Sequence, residues 1–186
     1  MADQSIRHDA IPVNPVSELA AASSPSWIRH STSATASVGV ADGVVATGGS
    51  VRTSGLGSCV AVCLLDADAS VGGLIHPMLP APEHDPTMEP GRYVTSSIAD
   101  LIDHAIDAGA ERTRLEATIV GGATMLQFSS TEEPIGTRNV STAESVLSSA
   151  GIPIRNRAVG GSNGRSVVCD IDEGSVSIRQ AGSDAN

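Results

Sequence analysis

Lysine is absent from this chain of 186 residues. All 11 basic residues are arginine, and they stand against 21 acidic residues, which gives a formal net charge of -10. This balance is typical of proteins adapted to concentrated salt, where a Debye length of about 3 Å at 1 M suppresses repulsion between carboxylates. An acidic surface also argues against nucleic acid and anionic membranes as partners.

Aromatic residues are almost missing, since Trp27, Tyr93 and Phe128 are the whole set. The core must therefore be built from aliphatic side chains, with glycine where backbones approach closely. A platform of aromatic rings for stacking single-stranded nucleic acid is excluded. The length suits one domain with a core of its own and a tail.

Long apolar runs are also lacking, because no stretch approaches the roughly 18 consecutive apolar residues that span a bilayer. The first residues also lack the basic region followed by an apolar one that predicts a secretory leader. We therefore expect no membrane insertion and a cytoplasmic location. The three cysteines, Cys59, Cys63 and Cys169, are an odd number. In a reducing compartment they predict no disulfide framework.

The chain divides into three parts by composition. Residues 1–36 mix Ser, Ala, Pro, Asp and His without periodicity and predict a disordered tail. Residues 37–182 carry the periodic segments and predict one domain, and residues 183–186 form a short end. Because strands outnumber helices, the order of elements predicts an α/β, or mixed α+β, fold in which two main helices cover a layered, mixed β-sheet.

The individual elements follow from hydrophobic periodicity and from glycine and proline. A hairpin is expected over 38–46, and a strand buried in the middle of a sheet over 59–65, with 71–79 as its neighbour. An amphipathic helix is expected over 94–106, with Thr95 and Ser96 as candidate caps, and a second helix is expected to begin at Asn139 as its cap and to end by 150. Further strands are predicted over 115–120, 154–159, 166–171 and 175–179.

Two apolar runs carry the chemistry. A Gly-x-Gly-Ser turn brings Cys59 to the start of one run, and His76 lies near the end of the next. Neighbouring strands would bring this thiol and imidazole together. A nearby imidazole can lower a thiol pKa from about 8.5 to roughly 3.5–7.5 and can protonate a departing amine. Backbone N–H groups of the turn, supported by Gly55, Gly57 and Ser58, are candidates to hold an oxyanion.

Other interpretations of these residues are weaker. Cys59, Cys63 and His76 imitate the first three ligands of a zinc finger, but His84 follows His76 at a spacing outside the usual range. Val60 stands where a dinucleotide-binding turn needs its third glycine. Cys63 and Cys169 are typical of small buried residues. We therefore expect no metal and no cofactor.

The motifs together resemble the CheD family, the chemoreceptor glutamine deamidases of bacterial and archaeal chemotaxis. The resemblance covers about residues 37–182 and leaves out the tail. The matching motifs are Thr53-x-Gly55-Leu56-Gly57-Ser58-Cys59-Val60-Ala61-Val62-Cys63-Leu64, Gly73-Leu74-x-His76-x-Met78-Leu79-Pro80, Gly121-Gly122-Ala123-x-Met125, Ile135-Gly136-x-Arg138-Asn139, and Gly160-Gly161 with Gly164-Arg165-Ser166.

The resemblance implies a function and a set of roles. Carried over by motif, the catalytic cysteine falls on Cys59, the histidine on His76 and the third active-site residue on Thr53. It implies hydrolysis of glutamine side-chain amides on methyl-accepting chemotaxis receptors, a complex with the phosphatase CheC, and a layered α/β fold shared with toxin domains that deamidate GTPases. Two alternatives stay open, a non-catalytic adaptor that binds CheC and receptors, and a receptor methylesterase.

Overall fold

A computed structural model describes residues 27–82, 89–124 and 133–182 of the chain. None of the helices in these ranges is long and apolar enough to cross a membrane. The described strands and helices, in chain order, are β1 (Ile28–Ser31), β2 (Thr35–Ser37), β3 (Gly43–Ala46), β4 (Ser50–Leu56), β5 (Val60–Asp66), β6 (Val71–Ile75), α1 (Val94–Asp107), β7 (Glu116–Gly121), α2 (Ile135–Ala150), β8 (Ile154–Val159), β9 (Arg165–Asp170) and β10 (Ser175–Gln180).

The described strands form two sheets. A six-stranded sheet has the order β1-β3-β6-β5-β7-β8, and a four-stranded sheet has the order β10-β9-β4-β2. Both sheets are mixed, because β1 with β3, β7 with β8 and β2 with β4 run parallel whereas the other pairs run antiparallel. The predicted mixed α/β class with two main helices is confirmed. The strands form two stacked sheets.

The core has two parts, one on each face of the six-stranded sheet. One face packs against the helices, with Val62 and Leu64 from β5 meeting Ile98 and Leu101 from α1. The opposite face packs against the four-stranded sheet, where Ala61, Cys63, Leu74, Val167 and Cys169 are buried. Strand β5 contributes to both parts, as its two apolar faces predict for a central strand. The molecule is therefore layered as helices, first sheet, second sheet.

The helices agree with the predicted periodicity but not with the predicted caps. The buried stripe of α1 includes Val94, Ile98, Leu101 and Ala105, and the residue before its first turn is Tyr93, without a side-chain cap. Helix α2 begins at Ile135, four residues before the predicted start, and Asn139 is buried inside its second turn. The prediction of Asn139 as a cap is therefore wrong.

Two predictions for the N-terminal part are also wrong. Residues 38–40 form no strand, and β3 pairs with β6 and β1, so no hairpin forms over 38–46. Residues 27–36 are not a tail, because β1 and β2 add edge strands and Trp27 is buried. Residues 1–26 and 183–186 lie outside the described residues.

Candidate active site

The turn that carries Cys59 crosses from one sheet to the other. It leaves β4 of the second sheet at Leu56 and enters β5 of the first sheet at Val60. Two backbone bonds from the segment after β7 fix it, from Ala123 N to Gly57 O (2.8 Å) and from Gly122 N to Cys59 O (2.8 Å). The Cys59 side chain is half-buried. The thiol therefore lies on a turn between the two sheets, and the segment after β7 fixes the backbone of that turn.

The glycine pair at the end of β7 makes this contact possible. Gly121 has φ +111°, and a Cβ added there would lie 2.3 Å from Cys59 O. Gly122 has φ +65° and faces the first turn of α2, where a Cβ would lie 2.8 Å from Gly136 O. At both glycines a side chain is excluded, because φ is positive and because backbone oxygens lie too close. The Gly121-Gly122 motif therefore supports the backbone of Cys59.

His76 follows the end of β6 and is 1% exposed. A hydrogen bond from Val60 N to Pro77 O continues the β5–β6 ladder beyond the two strands. Because side chains alternate along a strand, Cys59 continues the face of Ala61, and His76 continues the face of Leu74, both of which face the second sheet. By this register, the position of Cys59 is diagonal to that of His76 on the face toward the second sheet.

Thr53 reaches the imidazole from the opposite sheet. Its hydroxyl lies 2.7 Å from Val38 O and 2.9 Å from His76 Nδ1. A hydroxyl has one hydrogen, and the carbonyl can only accept, so Thr53 donates to Val38 and accepts from a protonated Nδ1. The His76 proton is therefore on Nδ1, and Nε2 carries the lone pair. Among the described residues nothing is hydrogen-bonded to this buried Nε2.

Burial sets the protonation states of both groups. It lowers the pKa of His76 to about 4. It also raises the pKa of the Cys59 thiol, and the backbone N–H of the same residue opposes part of that rise. Desolvation favours the neutral form of each group. The free protein therefore holds a neutral thiol and a neutral imidazole at pH 7, and the expected lowering of the thiol pKa is wrong for this state.

Asn139 was expected chiefly as a helix cap in its motif, and the structure joins it to this site by side-chain hydrogen bonds. Its side chain is fully buried, and Nδ2 donates to Ser58 O (2.9 Å) and to Met78 O (3.0 Å). One amide thus joins the turn before Cys59 to the segment after His76. The available signal was the position of Asn139 inside the helical stripe, where a polar residue facing the core requires hydrogen-bonding partners.

The other residues singled out in the sequence lie around the turn or in the core. Gly55 has φ +75° at a register irregularity of β4, and Gly57 and Ser58 form the turn itself, where their carbonyls accept the bonds described above. Cys63 is buried against Cys169 across the two sheets, and this neighbour and burial raise its pKa well above the usual value. Within the described ranges, no group of three or more His, Cys, Asp or Glu side chains is arranged to hold a metal. Met125 and His84 lie outside those ranges.

The fold and the site define a three-layer α/β protein with a half-buried thiol near a buried imidazole that a threonine orients. The family model described as CheD chemotactic sensory transduction matches residues 78–180. The chain belongs to the CheD family. Thr53, Cys59 and His76 precede the residues that the family model matches, so their roles depend on the geometry above and on the motif resemblance.

Relatives of known name match over most of their length. A probable chemoreceptor glutamine deamidase CheD of Natronomonas pharaonis is 39% identical over 142 residues, 76% of this chain and 85% of the relative. A protein of the same name from Pyrococcus abyssi is 40% identical over 146 residues, 77% and 90% of the two chains. The chemoreceptor glutamine deamidase CheD of Thermotoga maritima is 40% identical over 134 residues, 72% and 83% of the two chains.

Proposed function

We propose that this protein is a chemoreceptor glutamine deamidase, a hydrolase that converts glutamine side chains of methyl-accepting chemotaxis receptors to glutamate and ammonia. The named activity of its relatives supports this function. The observation that carries the chemistry is the chain of contacts from Val38 O through Thr53 Oγ1 to His76 Nδ1, which leaves the Nε2 lone pair on the face that Cys59 shares. The proposed catalytic residues are Cys59, His76 and Thr53.

The first half of the reaction forms a thioester. His76 Nε2 takes the proton of the Cys59 thiol as sulfur attacks the carboxamide carbon of the substrate. A C–S bond forms and the carbonyl oxygen becomes an oxyanion, to which the backbone N–H of Cys59 donates. The oxyanion then collapses, the C–N bond breaks, and the imidazolium gives its proton to the departing ammonia.

The second half repeats these roles with water. His76 Nε2 takes a proton from water as the oxygen attacks the thioester carbon. The C–S bond breaks, the sulfur recovers the proton from the imidazolium, and the product is a glutamate side chain. Because the pKa of His76 is about 4, the imidazolium exists only between the two proton transfers and gives up its proton readily.

The experiment that tests this function uses a receptor fragment in water enriched in ¹⁸O and concentrated salt. Peptide mass spectrometry is expected to find glutamate with one ¹⁸O in place of glutamine, and ammonia in equal amount. The matched control is protein blocked with iodoacetamide, which reaches Cys59 because Cys63 and Cys169 are 1% and 0% exposed. Receptor binding without conversion by the unblocked protein would favour the adaptor, and release of methanol from methylated receptor with glutamine unchanged would favour the methylesterase.

Alkylation of Cys59 tests whether the Cys59 thiol and the His76 imidazole are both neutral in the free protein. Because burial raises the thiol pKa, the rate of reaction with iodoacetamide is expected to climb steadily from pH 6 to above pH 9. The thiolate is the reacting form, so each pH unit below the pKa lowers the rate about tenfold. The measurement is the loss of free thiol with time across this range. A rate that levels off near neutral pH would instead indicate a preformed thiolate and imidazolium.

Replacement of Thr53 by valine tests the role of its hydroxyl. Valine keeps the shape and removes the hydroxyl that accepts the His76 Nδ1 proton, so both imidazole tautomers become available. We expect kcat to fall about 10- to 100-fold, the usual effect of losing a group that orients a reactive imidazole. Thr53→Ser is the control, since its hydroxyl can make both bonds, and it is expected to retain most of the activity. Equal losses in the two variants would contradict the role.

The proposed partners are the chemoreceptors and the phosphatase CheC, in keeping with a cytoplasmic location. CheC is proposed from the motif resemblance alone. Co-purification with CheC in concentrated salt, followed by the receptor assay with increasing CheC, tests this partner. Formation of a complex that lowers the deamidation rate is expected, and the absence of a complex at micromolar concentrations would remove CheC from the proposal.

A further inference from the structure

The Ser58–Cys59 peptide is held from one side only. Its carbonyl, Ser58 O, accepts from Asn139 Nδ2 at 2.9 Å. Its N–H belongs to Cys59, and within the described ranges no backbone carbonyl accepts a hydrogen bond from it. The C=O and N–H of a trans peptide point in opposite directions. The bond to Asn139 therefore turns the Cys59 N–H away from α2.

The Cys59 N–H lies near the sulfur of its own residue. The backbone N–H of Cys59 stabilises the thiolate of its own residue and so lowers its pKa against the larger effect of burial. A donor placed near Sγ is also near the oxyanion that forms when Sγ attacks a carbonyl carbon. A hydrogen bond accepted at a peptide C=O polarises the peptide and strengthens its N–H as a donor.

The same amide fixes the other half of the site. Asn139 Nδ2 gives its second hydrogen to Met78 O at 3.0 Å, two residues after His76. Both hydrogens of the amide are thus used on the two segments that carry the thiol and the imidazole. Oδ1 is buried and has no partner among the described residues.

We propose that Asn139 is a positioning residue that aims the Cys59 backbone N–H at the oxyanion, by holding Ser58 O, and sets the spacing between the Cys59 and His76 segments, by holding Met78 O. This inference depends on the proposed deamidase activity. It assigns to Asn139 a large effect on the oxyanion transition state and only a small effect on the thiolate, which the same N–H stabilises.

Two reactions of the same thiol separate these roles. Deamidation passes through an oxyanion, whereas alkylation by iodoacetamide occurs at a saturated carbon and forms none. In Asn139→Ala we expect kcat for a receptor fragment to fall about 10²- to 10³-fold, as for loss of one oxyanion donor. KM is expected to stay within about threefold of the wild type, and the alkylation rate of Cys59 at fixed pH is expected to fall by about tenfold at most, because a weaker Cys59 N–H also stabilises the thiolate less.

Asn139→Asp is the matched variant, because it keeps the size and removes both N–H donors. Its carboxylate would face Ser58 O and Met78 O, so we expect a loss of kcat at least as large as in Asn139→Ala. Ser97→Ala is the control for loss of a buried side chain that bonds backbone carbonyls, here Gly91 O, and it is expected to leave kcat within about threefold. If neither Asn139 variant folds, Asn139→Gln, which retains the amide at a displaced position, is expected to show the same split.

Three results would overturn the inference. The first is a folded Asn139→Ala variant that keeps its kcat. The second is a loss of deamidation matched by an equal loss of alkylation, which would assign Asn139 to the thiol or to the fold. The third is an Asn139→Gln variant with wild-type kcat. An inactive wild-type protein would instead reject the proposed function on which the inference depends.

Discussion

Cys59→Ala is expected to abolish deamidation and leave the protein folded. No other group in the proposed reaction can form the thioester, and loss of a nucleophile in comparable hydrolases lowers the rate by roughly 10⁴-fold or more. The thiol is half-buried at the edge of the core, so we expect the free energy of unfolding to change by no more than about 1 kcal/mol. The measurements are glutamate formation in the receptor fragment and a denaturant titration in concentrated salt.

Cys63→Ala is the matched control for this variant. Cys63 lies on β5, four residues after Cys59, but its side chain is buried between the two sheets against Cys169. Loss of its sulfur is expected to lower the free energy of unfolding by about 1 kcal/mol through the cavity it leaves, without loss of activity. Wild-type activity in Cys59→Ala, or loss of activity only in Cys63→Ala, would contradict the assignment of Cys59 as the nucleophile.

Local patterns predicted the central elements of this fold. The run before Asp66 is apolar on both faces, and the structure places β5 between β6 and β7 with both faces covered. The periodicity of residues 94–106 likewise predicted α1 to within one residue. Each of these segments is recognised from the pattern of its own buried residues, and one short stretch of sequence contains that whole pattern.

The division into two sheets was beyond the reach of such patterns. Short apolar segments around Asp42-Gly43 have the turn residues of a hairpin, but β3 and β4 belong to different sheets. One of the two partners of β4 is β9, more than 100 residues further along the chain, and that pairing depends on contacts that no local window holds. The position of β1, which pairs with β3 next to the buried Trp27, depends on distant contacts in the same way.

The motifs indicated candidate residues for the site but not their protonation states. The motifs indicated Thr53, Cys59 and His76, and the hydrogen bond between Thr53 and His76 joins two of them. The pKa of each group depends on how completely the two sheets exclude water, which is a property of the assembled sandwich. The bonds that Asn139 makes were not predictable for a related reason, because the carbonyls that it holds come from two segments distant in the chain.

His76→Asn is expected to reduce deamidation about 10³-fold or more, because it removes Nε2, the proposed general base and acid. The asparagine amide nitrogen can take the place of Nδ1 and still donate to Thr53, so the hydroxyl of Thr53 keeps its partner. The measurement is kcat for the receptor fragment near pH 7. Activity within tenfold of the wild type would show that another group moves the protons.

The same variant is expected to change how stability depends on pH. Burial lowers the folded-state pKa of His76 from 6.5 to about 4, so between these values the unfolded chain binds a proton that the folded protein does not. The stability that depends on a neutral His76 is complete above pH 6.5 and is lost as pH falls through about 4. The wild type should therefore lose about 3 kcal/mol more than His76→Asn between pH 7 and pH 3.5, measured by denaturant titration at constant salt. Parallel stability curves would mean that the imidazole is protonated as easily in the folded protein as in the unfolded chain, and the neutral pair at the site would be wrong.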